Sequence, residues 1–236
     1  MSRSIDELHG GFKLIQDDRF FKLGQDTVLL TDFAKVKSRE KICDLGCGNG
    51  AISILLFGKN PKIEVDAVEI QEEVACLAKE NVELNKLKIN VFCKDAREVE
   101  KFLKRENYDV VISNPPYFKE NSGLESENIN KKIARVEKDF DVFDVCKSAK
   151  YLLKYGGRLY IVQKPERTSD VFRAMFLNNI EPKRMKYVVG TVNSAPSVVL
   201  IEGKVGAKSG IIVEPTLITR NADLSYTDEL MRIYNK

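Results

Sequence analysis

From Lys41 onward, short apolar runs alternate with segments whose apolar positions recur every three or four residues. KICDL (41–45), VDAVEI (65–70), INVFCKD (89–95) and YDVVISN (108–114) are short and rich in β-branched residues, and each predicts a buried strand. Between them, AISILLFGK (51–59) predicts a buried helix. EEVACLAKENVELN (72–85) predicts an amphipathic one, with Val74, Leu77, Ala78 and Val82 on a common face. VFDVCKSAKYLLKYGG (142–157) predicts a helix stopped by its double glycine. A strand over RLYIVQK (158–164), a helix over 167–179, strands over MKYVVG (185–190) and SVVLIEGKV (197–205), and a short helix within YTDELMRIY (226–234) complete the pattern. Strands and helices in alternation imply an α/β fold with a parallel sheet covered on both faces. No helix separates the last two strands, so they are expected to pair antiparallel. The expected sheet has seven strands, mostly parallel, with the last one reversed.

Residues 41–236 form this expected domain, and residues 1–40 read as an N-terminal extension. In the extension, GFKLIQDDRFFK predicts a hairpin with its turn at Gln16-Asp17-Asp18 and its second strand at Phe20-Phe21. Asp26-Thr27 ahead of Val28, Leu29, Leu30 and Phe33 predicts a capped helix start.

Composition acts mainly by exclusion. With 43% hydrophobic and 31% charged residues, the chain is an ordinary soluble globular one. No run approaches the roughly 20 apolar residues of a membrane helix, and Met1–Gly10 lacks an apolar signal core, so a cytoplasmic location is expected. The five cysteines are odd in number and form no CxxC pair, which argues against a disulfide framework or a zinc site. The single histidine, His9, reads as solvated, so neither a metal site nor a histidine-dependent hydrolase is expected.

The strand ends carry the chemistry, as open parallel sheets require. After the first strand comes Asp44-Leu45-Gly46-Cys47-Gly48-Asn49-Gly50. Glycines at Gly46, Gly48 and Gly50 permit a tight turn and close approach of backbone to a ligand. The spacing is not the GxGxxG of a dinucleotide site. A pyrophosphate wants amide donors without a neighbouring anion, whereas a cationic amino-acid moiety favours a carboxylate such as Asp44. Glu69, with Ile70 behind it, ends the second strand, where an acid accepts hydrogen bonds from ribose hydroxyls. Asp95 and Ala96 end the third, where a carboxylate and an amide can read an adenine edge; a plain helix cap would use Asp95 equally well. Together these residues predict a site for S-adenosylmethionine.

The fourth strand runs into Asn114-Pro115-Pro116-Tyr117. Two prolines remove two amide donors and leave the Asn114 side-chain oxygen and the Pro115 carbonyl as acceptors. Such acceptors suit a conjugated NH2 group, and Tyr117 offers a flat face for stacking. These four residues are the expected catalytic set.

The sequence resembles bacterial N6-adenine methyltransferases that modify the adenosine next to the anticodon of a valine tRNA. The likeness rests on FFKLGQDTVLLTDFA, DLGCGNG, VEI, KDA, SNPPYF, ARVEKDF, YLLKYGGRLYIVQKPER and the tail SAPSVVLIEGKVGAKSG…YTDELMRIY. It implies a Rossmann-like class I methyltransferase fold and cofactor contacts from Asp44, Gly46, Glu69, Asp95 and Asn114. It further implies that Gln25 and Asp26 close over the methionine end of the cofactor. Residues 118–138 read as a loop that orders over substrate or as an ordinary surface loop.

Charge is uneven. Residues 1–146 carry a net −4 and residues 147–236 a net +7, which is compatible with a docked polyanion such as tRNA. Lys183, Arg184, Lys186, Lys204 and Lys208 are the expected phosphate contacts. Three other readings compete: a methyltransferase for protein glutamine amides, one for guanine N2 in ribosomal RNA, and an RNA-binding module without catalysis. The sequence leaves the oligomeric state open, with a monomer plausible.

Overall fold

The computed structural model describes residues 2–116 and 140–234. Tyr117 and the segment 118–138 lie outside the described residues.

Strands β1 (Arg3–Glu7) and β2 (Lys13–Asp17) form an antiparallel hairpin, and α1 (Gln25–Phe33) follows. The alternating part then runs β3 (Lys41–Leu45), α2 (Ala51–Lys59), β4 (Glu64–Glu69), α3 (Glu72–Leu84), β5 (Ile89–Cys93) and β6 (Tyr108–Ser113). After the undescribed segment come α4 (Val142–Leu152), β7 (Leu153–Gln163), α5 (Thr168–Leu177), β8 (Ile180–Val189) and β9 (Pro196–Val205). Two-residue strands β10 (Ile212–Val213) and β11 (Leu217–Ile218) and the short helix α6 (Asp228–Tyr234) end the chain.

The main sheet has the order β10-β8-β9-β7-β6-β3-β4-β5, with β11 also on β8. Its seven long strands are the expected ones, and β9 alone among them is reversed, antiparallel to both β7 and β8. Successive strand residues face opposite sides. Ile42 therefore joins a core with Leu29 and Leu30 of α1, Ile54 of α2 and Val82 of α3, while Cys43 joins one with Val145 of α4 and Val171 of α5. The chain leaves β3 toward β4 and β5, then returns to pair β6 on the other side of β3. That reversal opens a crevice at the carboxyl ends of β3 and β6.

Three local differences from the expected elements have physical causes. The hairpin lies earlier: 13–17 is a strand that pairs with 3–7, and Phe20-Phe21 is not a strand. Leu14, Ile15, Gln16 and Asp17 are all buried, so β2 shows no alternation, while polar β1 is mostly exposed. Helix α4 stops at Leu152, before the double glycine. Strand β7 pairs with β6 at Leu153 and again at Arg158, and the intervening residues bulge outward. Gly156, at φ 80°, makes that bulge possible. Strand β8 begins five residues early, at Ile180, because β9 offers it a partner along its full length.

Candidate active site

At the end of β3 the backbone turns sharply. The amides of Gly46 and Cys47 both donate to the Val68 carbonyl, at 2.9 and 3.0 Å. Gly48 follows at φ 55°, and its amide donates to Glu69 Oε2 at 3.0 Å. Among the described residues, a Cβ on Gly48 would meet no atom within 4 Å, so the loop is open on that side. Such a cradle admits a ligand against bare backbone.

Asp44 points, like Ile42, to the side of α2. It is fully buried, and Oδ2 accepts from Ser53 Oγ at 2.8 Å. Its Oδ1 has no hydrogen-bond partner among the described residues, and burial pushes its carboxyl up to about 7. Nearby on the loop, Asn49 is 6% exposed and its Nδ2 is also unpartnered. Orphaned buried groups of this kind are costly and call for a ligand or a function.

Glu69 ends β4 and is buried, with Oε1 accepting from the Gln71 amide at 2.9 Å. Burial raises its pKa, which those amide bonds partly offset. Each carboxylate oxygen thus holds one backbone donor and keeps a lone pair for another. Ile70 beside it is exposed, giving the crevice an apolar flank.

Asp95 serves as a cap and has a partner of its own. It caps the 3-10 turn Ala96–Lys101 and accepts from the Arg97 amide at 2.8 Å. The Arg97 guanidinium also spans both carboxylate oxygens, at 3.0 Å and 2.7 Å, and holds the carboxyl below its usual range. Ala96 is buried beneath. A base reaching Asp95 would have to share it with Arg97.

Asn114 emerges from β6 into the same crevice. Ser113 Oγ donates to the Leu45 carbonyl at 2.8 Å, which ties the end of β6 to the start of the glycine loop. Asn114 Nδ2 donates to Thr27 Oγ1 on α1 at 3.2 Å, which sets the plane of its amide. Pro115 is buried and Pro116 half-buried. Asp26 occupies the first turn of α1 one residue before Thr27. Gln25 is turned the other way: it bonds to Tyr234 of α6 and borders a cavity of about 340 Å³ on the outer side of α1. The structure thus brings Asp44, the glycine loop, Glu69, Ile70 and Asn114 together. It places Asp95 at the edge with its own partner and leaves Gln25 outside.

Four contributors went unnoticed in the sequence. Ser53 holds Asp44, and Thr27 orients Asn114. Phe140 lies 3.8 Å from where a Cβ on Gly46 would sit, so it borders the loop. Asn81 is fully buried on α3, donating to the carbonyls of Asn49 and Ile15 at 3.0 Å each and accepting from the Ile15 amide at 2.6 Å. It therefore ties the glycine loop to the hairpin. A signal existed: Asn81 interrupts the apolar face formed by Leu77, Ala78 and Val82, and a buried polar residue needs partners.

The expected phosphate contacts are not at this site. Arg184 is buried, paired with Glu202 and with Glu214 at 2.8 Å, and its guanidinium stacks on Phe33 at 4.3 Å. Lys186 pairs with Glu229 at 3.1 Å. Lys183 and Lys204 occupy the start of β8 and the end of β9, which lie at the opposite end of the sheet, and Lys183 donates to the Lys208 carbonyl there.

Comparison with known proteins extends the picture. The family model described as methyltransferase small domain matches residues 22–189. The tRNA1(Val) (adenine(37)-N6)-methyltransferase of Christiangramia forsetii is 29% identical, over 94% of this chain and 92% of that protein. The protein of the same name from Trichodesmium erythraeum is 31% identical over 67% of each. Among solved structures, a protein from Agrobacterium tumefaciens described as a predicted O-methyltransferase superposes with a TM-score of 0.73 at 21% identity, over 89% of this chain and 95% of that one. A geranyl diphosphate C-methyltransferase from Streptomyces coelicolor superposes with a TM-score of 0.54 at 12% identity, over 76% and 79%. At such identities the structures speak for the fold alone, and it is the Rossmann-like class I methyltransferase fold.

Proposed function

The chain belongs to the methyltransferase small domain family and to that of the tRNA1(Val) (adenine(37)-N6)-methyltransferases, and from that premise we propose that it methylates N6 of an adenosine in a tRNA anticodon loop. S-adenosylmethionine is the methyl donor, and valine tRNA is the substrate by likeness to those relatives. The observation that carries the reading is Asn114-Pro115-Pro116 at the end of β6, tied through Ser113 to the glycine loop.

The residues present suit the cofactor. Open space above Gly48, the unpartnered Asp44 Oδ1 and Asn49 Nδ2, and the spare acceptor capacity of Glu69 are what a cationic amino acid joined to a ribose would use. Asp44 and the loop hold the amino-acid end, Glu69 the ribose hydroxyls, and Ile70 a face of the base. When bound, S-adenosylmethionine supplies an electrophilic methyl group on a sulfonium.

The chain's own residues present the nucleophile. An exocyclic amine conjugated to a ring is weakly nucleophilic because its lone pair is delocalised. Asn114 and the Pro115 carbonyl accept its two N–H groups and hold the nitrogen in line. Those bonds strengthen as the nitrogen becomes positive, so they favour the transition state over the bound substrate. No strong base is needed before attack, which agrees with a single histidine in the chain. Alignment in the crevice supplies the rest.

Asp44 gives the cofactor site a pH dependence. Its carboxyl sits at about 7, and a cationic ligand favours the ionised form. Affinity for S-adenosylhomocysteine, which carries the same amino group, should rise as pH increases through 7. Below that value it should fall by up to about tenfold per pH unit. Calorimetry from about pH 6 to pH 8 checks this, with Asp44→Asn expected to flatten the slope. A flat wild-type profile would remove Asp44 from the cofactor site.

The function itself is tested by incubating unmodified bulk tRNA with labelled cofactor and analysing the nucleosides. N6-methyladenosine is expected in tRNA. Label in N2-methylguanosine, or no label in tRNA but label in a glutamine of added protein extract, would select one of the competing methyltransferases instead.

A further inference from the structure

Between β2 and α1, residues 18–24 cross the carboxyl end of the sheet. Their entry is fixed by Asp17, whose carboxylate accepts from Arg19 Nε at 3.0 Å and from a terminal Arg19 nitrogen at 2.8 Å. Arg19 also lies 3.7 Å from Glu73 in the first turn of α3, directly after Glu69 and Ile70. Their exit is fixed by Gln16, whose Oε1 accepts from the Leu23 amide at 2.6 Å. Gly24 then starts α1, and the third residue of that helix, Thr27, holds Asn114. The segment is therefore a braced rim joining the two helix starts that border the crevice.

Two adjacent phenylalanines on this rim are treated differently. Phe20 is half-buried, with the Arg19 guanidinium 4.9 Å from its ring centre. Phe21 is 84% exposed, the most exposed of the large hydrophobic side chains described. Its burial contributes almost nothing to folding. Its neighbours in sequence include Arg19, paired with Asp17 and Glu73, and Lys22, paired with Asp18 but still about half accessible. An exposed ring on a braced rim next to an NH2-accepting site has the makeup of a single-stranded nucleic-acid contact.

We propose that Phe21 is a stacking platform for the nucleobase adjacent to the target adenine, with Arg19 and Lys22 near the intervening phosphates. The proposal rests on the tRNA reading above. A target adenine drawn into the crevice abandons its neighbour in the loop, and that neighbour loses a stacking face. An aromatic ring on the rim replaces it without demanding a particular base.

The test is steady-state methylation of unmodified tRNA by the full chain, with calorimetry of S-adenosylhomocysteine in parallel. Phe21→Ala should raise KM for tRNA by about tenfold or more, with kcat changed by less than about twofold, because stacking acts equally before and during transfer. Affinity for S-adenosylhomocysteine should not change. Phe21→Trp should restore KM, and Phe21→Leu, apolar but without a π-face, should not. An unchanged KM in Phe21→Ala, rescue by leucine as good as by tryptophan, or a parallel loss of S-adenosylhomocysteine affinity would each overturn the platform. If the wild-type chain methylates no tRNA at all, the functional reading fails, and that outcome is distinct from these.

Discussion

Asn114→Ala is expected to fold like the wild type and to lose about a hundredfold in kcat. The side chain is half-buried, and its described bond, to Thr27, is 3.2 Å long, so its loss should cost only about 1 kcal/mol of stability. The catalytic loss is larger because the amide oxygen works hardest when the attacking nitrogen turns positive. Removing a single group preorganised for transition-state charge typically costs 10²- to 10³-fold. An uncharged acceptor at a half-exposed position belongs at about the lower bound of that range. Single-turnover kinetics with saturating tRNA and cofactor, alongside thermal unfolding, separates the two effects. Asn114→Asp keeps acceptor oxygens but gives up the donor to Thr27, so it should recover part of the rate. A near-wild-type kcat for Asn114→Ala would strip the residue of its assigned role.

The parts of this molecule that were legible in its sequence are those fixed by local periodicity. Helix α2 occupies the segment its apolar run predicted, and α3 ends within one residue of the prediction. Strands β3 to β6 likewise match their apolar runs. Once β3, β4 and β6 are placed in a parallel sheet, their carboxyl ends must carry the glycine loop, Glu69 and Asn114. The site followed from topology plus three short motifs.

What was not legible depends on partners distant in sequence. Arg184 sits in the basic run Lys183-Arg184-Met185-Lys186, which reads as an exposed phosphate-contacting surface. Its burial is decided by Glu202 across the strand pair, by Glu214 further along the chain and by Phe33 from α1. A buried guanidinium persists only when its charge and donors are met, and no local pattern announces that. The hairpin register slipped for a similar reason. Strand β2 is covered on both faces, so the alternation that marks a half-buried strand is missing. Asp95 shows how two readings of one residue coexist: the acid at a strand end is also a cap, and Arg97 two residues later shares its carboxylate.

Glu69→Ala is expected to weaken S-adenosylhomocysteine binding by about 10- to 100-fold, corresponding to the roughly 1.5–3 kcal/mol of hydrogen bonds to a charged group. Glu69 has two tasks, however. It would accept the ribose hydroxyls, and it already accepts from the Gly48 amide at 3.0 Å, which shapes the loop. Alanine removes both, so the alanine result alone does not separate ligand contact from loop geometry. Glu69→Gln does separate them. The amide oxygen can still accept from Gly48, which keeps the loop bond, but the charge is gone and an NH2 group replaces the oxygen that accepted from the Gln71 amide at the start of α3. If ribose recognition dominates, glutamine should lose nearly as much affinity as alanine. If loop shape dominates, glutamine should stay close to wild type. The first outcome is expected, because burial makes the carboxylate costly to keep, its backbone amide bonds offset only part of that cost, and a ligand hydrogen-bonding to the charged form offsets more. The same titrations with NAD should show much weaker binding, since Asp44 places a buried acid beside the glycine loop, where a pyrophosphate would need donors. Tighter binding of NAD than of S-adenosylhomocysteine would overturn the cofactor assignment along with the role of Glu69.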